Sequence, residues 1–303
     1  AQDKVTVAQN AAVIASGDKA VRDETINIVG DGALLRVSAA DQVDLVRSGE
    51  VTANKGELLI EEGAMVSASG SMLLQGTKDT ILNGSIQVGT EQQAGSLYLG
   101  ASQISLSNDD NIDSSGLILP TSMLEQFNLD ELVISSYGAL NIYNGVDLQL
   151  NNLKIEAAAI NGIENEGSIA NITVAKTLTL SNPHSSDVNF AGEVVNNNGT
   201  LNLNANQIVF GSEAIDTNEE YISQSLVLNG FSHINMTATN GAIGKGNTQI
   251  NFANSGASAN VTLTTPMLTV ASGSSLSLNA TNSSLNLNSA NSDPTIPAAI
   301  GGK

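Results

Sequence analysis

Asp109, Asn111 and Asp113 alternate within SNDDNIDSSG (107–116), which puts side-chain oxygens at the first, third and fifth positions of an oxygen-rich calcium loop. The pattern then stops. Ser114 stands where such a loop needs glycine for its sharp turn, and Pro120 stands where it needs a bidentate glutamate. The glycine-rich nonapeptide calcium repeat is missing as well. Asp109, Asn111 and Asp113 remain a calcium candidate, with an ion-free polar loop as the preferred reading. No other cofactor is expected.

Catalytic groups are scattered. The acid pairs Glu61-Glu62, Asp130-Glu131 and Glu219-Glu220 raise glycosidase chemistry, which needs two carboxyls about 5–10 Å apart. Neighbours on a strand point to opposite faces, so solvated corners explain such pairs better. Arg22, Arg36 and Arg47 lie early and far apart, Lys154 stands alone in the sequence, and His184 and His233 lack metal-ligand spacing. The absence of cysteine removes thiol chemistry, disulfides and cysteine-bound zinc. The expectation is a protein that is not an enzyme, with no catalytic residue assigned.

Composition points the same way. The 303 residues include 28 Gly and 35 Asn but 3% aromatics, so a core must be filled by Leu, Ile and Val. The net charge of −19, without any Lys or Arg run, excludes a nucleic-acid partner, because phosphates need clustered cations. Residues 1–150 carry a net −13 and nine Asn, whereas 151–303 carry −6 and 26 Asn. The opening AQDKVTVAQNAAV lacks the basic and apolar regions of a signal peptide, and no stretch approaches the roughly 18 apolar residues of a membrane span. The expectation is a piece of a longer chain, since neither end shows a distinctive cap. Seven N-x-S/T sequons (Asn83, Asn171, Asn198, Asn235, Asn260, Asn279 and Asn282) are mostly what chance gives in so Asn-rich a chain.

The elements that must carry these residues are short. Apolar-x-apolar triplets recur throughout, among them LYL (97–99), ISL (104–106), LTL (178–180), LNL (201–203), LVL (226–228) and LSL (276–278). Neighbouring triplets start seven to nine residues apart, and longer intervals of 23 and 25 residues separate 178, 201 and 226. Three short strands with tight corners make one turn of a triangular solenoid in roughly 20–25 residues, within the range of repeat architectures. Asn-Gly pairs at Asn83, Asn144, Asn161, Asn198, Asn229 and Asn240 supply corners. A β-sandwich uses the same turns, but short strands and the lack of matched hairpins favour an all-β parallel solenoid. Leu201, Leu203, Leu226, Leu228, Leu276 and Leu278 are its expected core.

One segment breaks the pattern. LILPTSMLEQFNLDELVISSYGALNIY (117–143) reads as strand at both ends, while Ser122 and Glu125 have the S-x-x-E spacing of a capping box and Leu124 and Phe127 form one apolar turn. A helical insert is expected within 116–131, centred on 122–128, and a flexible tail over 289–303. The segment resembles the filamentous haemagglutinin family of large bacterial exoproteins, in which leucine-x-leucine-proline precedes a helix-like insert and a tyrosine-bearing strand follows. GDGALLRVSA (30–39), LYLGASQISL (97–106), NGVDLQLNNLKIEAAAI (144–160), NGTLNLNANQIVFG (198–211) and LVLNGFSHINMTA (226–238) extend the likeness over most of the chain.

The resemblance implies one right-handed parallel β-helix over 1–303, exported through an outer-membrane two-partner secretion pore to the bacterial surface. Members of the family are adhesins or fibres that serve attachment, aggregation or biofilm. The family's Asn-Pro-x-Asn secretion motif is absent, since NPHS (182–185) has its first pair only, which fits an internal or distal segment. Host, neighbouring-cell or matrix glycans and end-to-end copies of the chain itself are the expected partners. The alternative is a carbohydrate-active β-helix enzyme, a polysaccharide lyase or hydrolase.

Overall fold

Alternation of Leu, Ile and Val with Ser, Thr and Asn drives these segments into strands with one hidden face. In Gly199–Phe210, Leu201, Leu203 and Ala205 are buried while Asn202 and Asn204 between them are half-buried. The computed structural model describes residues 1–17, 23–40, 42–109, 112, 114–163, 167–184, 198–214, 220–253 and 258–290, with backbone alone for 23–25 and 42–44. These residues are nearly all β, in long parallel sheets. None of their helices is long and apolar enough to cross a membrane. The chain forms two units, Ala1–Ser105 with Asp109–Tyr137, and Leu106–Asn108 with Gly138–Lys303.

In the first unit, consecutive strands go to different sheets. Glu57–Ile60, Met65–Ala68 and Ser71–Gly76 are followed by Asp79–Leu82, Ser85–Val88 and Gly95–Ala101, and each later strand lies parallel to its counterpart in the earlier set. Leu97 thereby sits over Met72 and Leu99 over Leu74, all of them fully buried. Ala33–Ser38 is the exception: it runs antiparallel along Ser71–Gly76 and occupies that edge. Asp23–Val29 and Gln42–Ser48 pair with each other instead. From the second of these, Arg47 is buried with its Nη2 donating to Gln75 Oε1 (2.7 Å) and its guanidinium 5.9 Å from the Tyr137 ring centre. Gln75 Nε2 in turn donates to the Tyr137 hydroxyl at 2.6 Å.

The helical excursion is a single turn, Thr121–Leu124, between strands Leu117–Pro120 and Leu129–Ser136. The expected capping box does not form. Pro120 takes the cap position with no side-chain bond, which places Ser122 inside the turn and Glu125 at its end. The proline ring fixes φ near the helical value, so the turn begins directly after it. Leu124 is buried and Phe127 half-buried.

The second unit stacks longer strands. Ile169–Ser181, Gly199–Phe210, Phe231–Gly244, Asn260–Thr264 and Ser284–Asn288 follow one another in parallel. A second sheet contains Ala139–Ile142, Ala159–Gly162, Ser223–Asn229, Asn247–Phe252 and Ser275–Asn279. The spacing is not uniform: Ala139 pairs with Ala159, Leu153 with Leu178 and Leu201 with Ile234, offsets of 20, 25 and 33 residues. Like stacks on like despite this, as in the buried row Ile172, Leu203, Met236 and Leu263. On the opposite face Asn235 Nδ2 donates to Asn202 Oδ1 (2.9 Å) and Asn202 Nδ2 to Asn171 Oδ1 (2.8 Å), a ladder of amides across three strands.

Four of the six expected core leucines, Leu201, Leu203, Leu226 and Leu228, are fully buried. Leu276 and Leu278 are half-buried, because among the described residues Ser275–Asn279 is the outermost strand of its sheet and has a neighbour on one side. The Asn-Gly corners also differ from expectation. Gly145 and Gly230 carry the positive φ (71° and 80°), whereas the asparagines before them do not. At Gly230 a Cβ would lie 2.6 Å from the Gly162 carbonyl oxygen, so the position is closed to side chains twice over. Of the tail, residues 291–303 lie outside the described residues. Leu203→Asp is expected to cost more than about 4 kcal/mol in chemical denaturation, because it buries an unpaired charge. Leu287→Asp, at a position 59% exposed, should change stability by less than about 0.5 kcal/mol.

Candidate functional site

Lys154 and Glu156 are two apart on the strand Asn152–Glu156, so they share a face while Leu153 and Ile155 point into the core. Glu156 pairs in register with Ser181 on the neighbouring strand, and the chain leaving Ser181 returns over it. Buried Asn182 pins that return by donating Nδ2 to the Ser225 carbonyl at 2.8 Å. Two residues on, His184 Nε2 comes within 3.6 Å of Glu156 Oε2, while Lys154 Nζ lies 2.6 Å from Oε1. The side chain of Glu156 is only 5% exposed.

Burial opposes ionisation of Glu156, but the Lys154 ammonium and the His184 ring beside it prevail and hold the carboxyl well below the usual carboxylate range. A carboxylate kept ionised accepts hydrogen bonds and balances charge. It is a poor proton donor. Glycoside hydrolysis by paired carboxyls needs a second acid with a raised pKa, whereas the carboxyl between Lys154 and His184 is held ionised. The sequence treats Lys154 and His184 as isolated, and in this respect the structure corrects it. The i, i+2 spacing of Lys154 and Glu156 was readable, whereas His184 joins only through strand pairing.

The other sequence candidates stay apart. Asp109 is exposed, and Asn111 and Asp113 lie outside the described residues. Among the described residues no group of three or more His, Asp or Glu could hold a metal ion. Glu61 accepts a hydrogen bond from the Gln9 backbone N–H (2.8 Å) beside exposed Glu62, and Asp130 and Glu131 are half-buried. Glu220 is exposed and Glu219 is not among the described residues. His233 is exposed, with Nδ1 3.0 Å from the Ser232 hydroxyl. Arg36 lies 3.4 Å from the Ser71 hydroxyl, Arg47 is tied into the Gln75–Tyr137 network, and Arg22 falls outside the described residues.

Neither a family model nor a curated protein or solved structure matches the chain.

Because the folded pKa of Glu156 is depressed, its contribution to stability is present above the unfolded value near 4.3 and is lost as pH falls toward the folded value. Glu156→Gln should cost about 1–3 kcal/mol at pH 7, from hydrogen bonds to charged groups. The gap between the native protein and Glu156→Gln should narrow below about pH 4. Urea denaturation of both proteins across pH 3–7 measures it.

Proposed function

We propose that both units are built of right-handed parallel β-solenoid coils and that the chain is a structural segment of an extracellular fibre or adhesin. The observation that carries the proposal is in-register parallel stacking of like residues, apolar on one face and amide on the other, between strands 20 to 33 positions apart. Such stacking extends in one direction without a closing element, which suits a shaft. The outermost strands Ser275–Asn279 and Ser284–Asn288 have a partner on one side among the described residues, and open edges recruit further strands. End-to-end association or continuation into more coils follows from this reading. Secretion through a two-partner outer-membrane pore to a bacterial surface, and roles in attachment or biofilm, rest on the resemblance of 117–143 and its flanking motifs to filamentous haemagglutinin-like exoproteins.

The Lys154–Glu156–His184 cluster is the observation on which a carbohydrate-active enzyme would have to stand. Its carboxylate, Glu156, is held ionised by Lys154 and His184 of its own chain. A structural ion cluster accounts for it with fewer assumptions.

Small-angle scattering and electron microscopy of the full chain test the proposal. Elongated particles that associate through their ends are expected, with side-by-side bundling as pH nears the sequence pI of 4.1 and the net charge fades. A monodisperse globular particle at every pH from 4 to 8 would remove the fibre. Release of reducing ends from a polysaccharide panel, abolished in Glu156→Gln, would favour the enzyme.

A further inference from the structure

In a chain of net charge −19, two neighbouring rows on one sheet face of the second unit carry no charge across five successive strands. The register aligns Asn171, Asn202, Asn235, Thr262 and Asn286 across five successive strands. Two residues further along each strand a second row is again all Thr or Asn, including Thr237 and Thr264. The one acid in register with the first row is Asp147, at its rim beside Asn171. These side chains are half-buried to exposed, and on the first four strands the apolar residues between them, Ile172, Leu203, Met236 and Leu263, point the other way into the core, while Leu287 on the outermost strand is exposed.

The face is also ordered in advance. Asn202 donates one N–H to Asn171 and accepts one from Asn235, which fixes its amide plane. Each such amide keeps a second N–H and a further lone pair, and Asn202 makes no other hydrogen bond among the described residues. Groups already immobilised lose less entropy when a ligand arrives. The rungs repeat at about 4.8 Å, the spacing of paired strands.

From this geometry we infer that the Asn/Thr face binds an extended, uncharged polysaccharide lying along the stacking direction. The inference deepens the adhesin reading and rests on it. An extended glycan advances by a comparable step per sugar, so each residue meets a fresh amide or hydroxyl, and many weak contacts add along one chain. A polyanion finds no cation on these rows and meets Asp147. A second copy of the chain fits less well. Five strands at about 4.8 Å and two rows about 7 Å apart cover only a few hundred Å², against roughly 800 Å² per partner in a stable complex.

Affinity electrophoresis of the full chain in gels containing hydroxyethyl cellulose, galactomannan or dextran, with carboxymethyl cellulose as the anionic comparison, tests this. At least one neutral polymer should retard the protein, carboxymethyl cellulose should not, and a disaccharide should bind at least tenfold more weakly than the polymer. Thr237→Glu, which sets a carboxylate on the face, should weaken retardation at least fivefold. Gln87→Glu, exposed on a strand of the first unit, should leave it unchanged. Circular dichroism and melting establish that both variants are folded. If Thr237→Glu does not fold, Thr264→Glu on the next strand takes its place. The inference is overturned if no neutral polymer retards the chain, if a folded face variant binds as tightly as the native protein, or if the anionic polymer binds best. Elongated particles in scattering together with absent retardation would sink this inference alone and leave the fibre standing.

Discussion

A parallel strand is stable only when its neighbour lies about 4.8 Å away with matching register, because each backbone edge must find donors and acceptors. In both units that requirement is met by a strand some 19 to 68 residues distant rather than by an adjacent hairpin. The core follows from it. Once the backbones are in register, Ile172, Leu203, Met236 and Leu263 must stack. The three fully buried phenylalanines, Phe210, Phe231 and Phe252, sit at the first or last residues of their strands.

The same register governs the polar side. An asparagine stacked on an asparagine can donate and accept at once, so a row of them satisfies itself without charge. The ladder ends where a competing bond is better. Asn161 donates to Asn141 across buried strands and its own Oδ1 has no partner, while Asn229 in register with it accepts the Gly230 N–H through its side-chain oxygen.

Two buried charges are handled differently. Arg47 finds no carboxylate and relies on the Gly30 carbonyl, Gln75 and the face of Tyr137, with its Nε left without a partner. A guanidinium is weakly hydrated and stacks on rings, so a neutral cage suffices. Glu156 is more strongly hydrated, and it is accommodated by two cationic or polar partners within reach. Each anchors a segment that departs from the sheets: Arg47 the strand Gln42–Ser48, and Glu156 the turn through His184.

Period-two alternation settled strand, buried face and all-β class from sequence alone, since side-chain direction on a strand depends only on parity. Leu201 and Leu203 were readable for that reason, as was the shared face of Lys154 and Glu156. Which strand lies beside which was not readable. Register is set by the lengths of intervening loops, and these vary enough to move offsets from 20 to 68 residues within one sheet. The antiparallel seat of Ala33–Ser38, the meeting of His184 with Glu156, the amide ladder and the half-exposure of Leu276 are all consequences of pairing. Local propensity misled once, at Ser122, where the fixed φ of Pro120 started the helical turn two residues early. Sequence determined what each strand hides, and tertiary structure decided what it stacks on, because hydrogen bonding between distant backbones is blind to the side chains of either one alone.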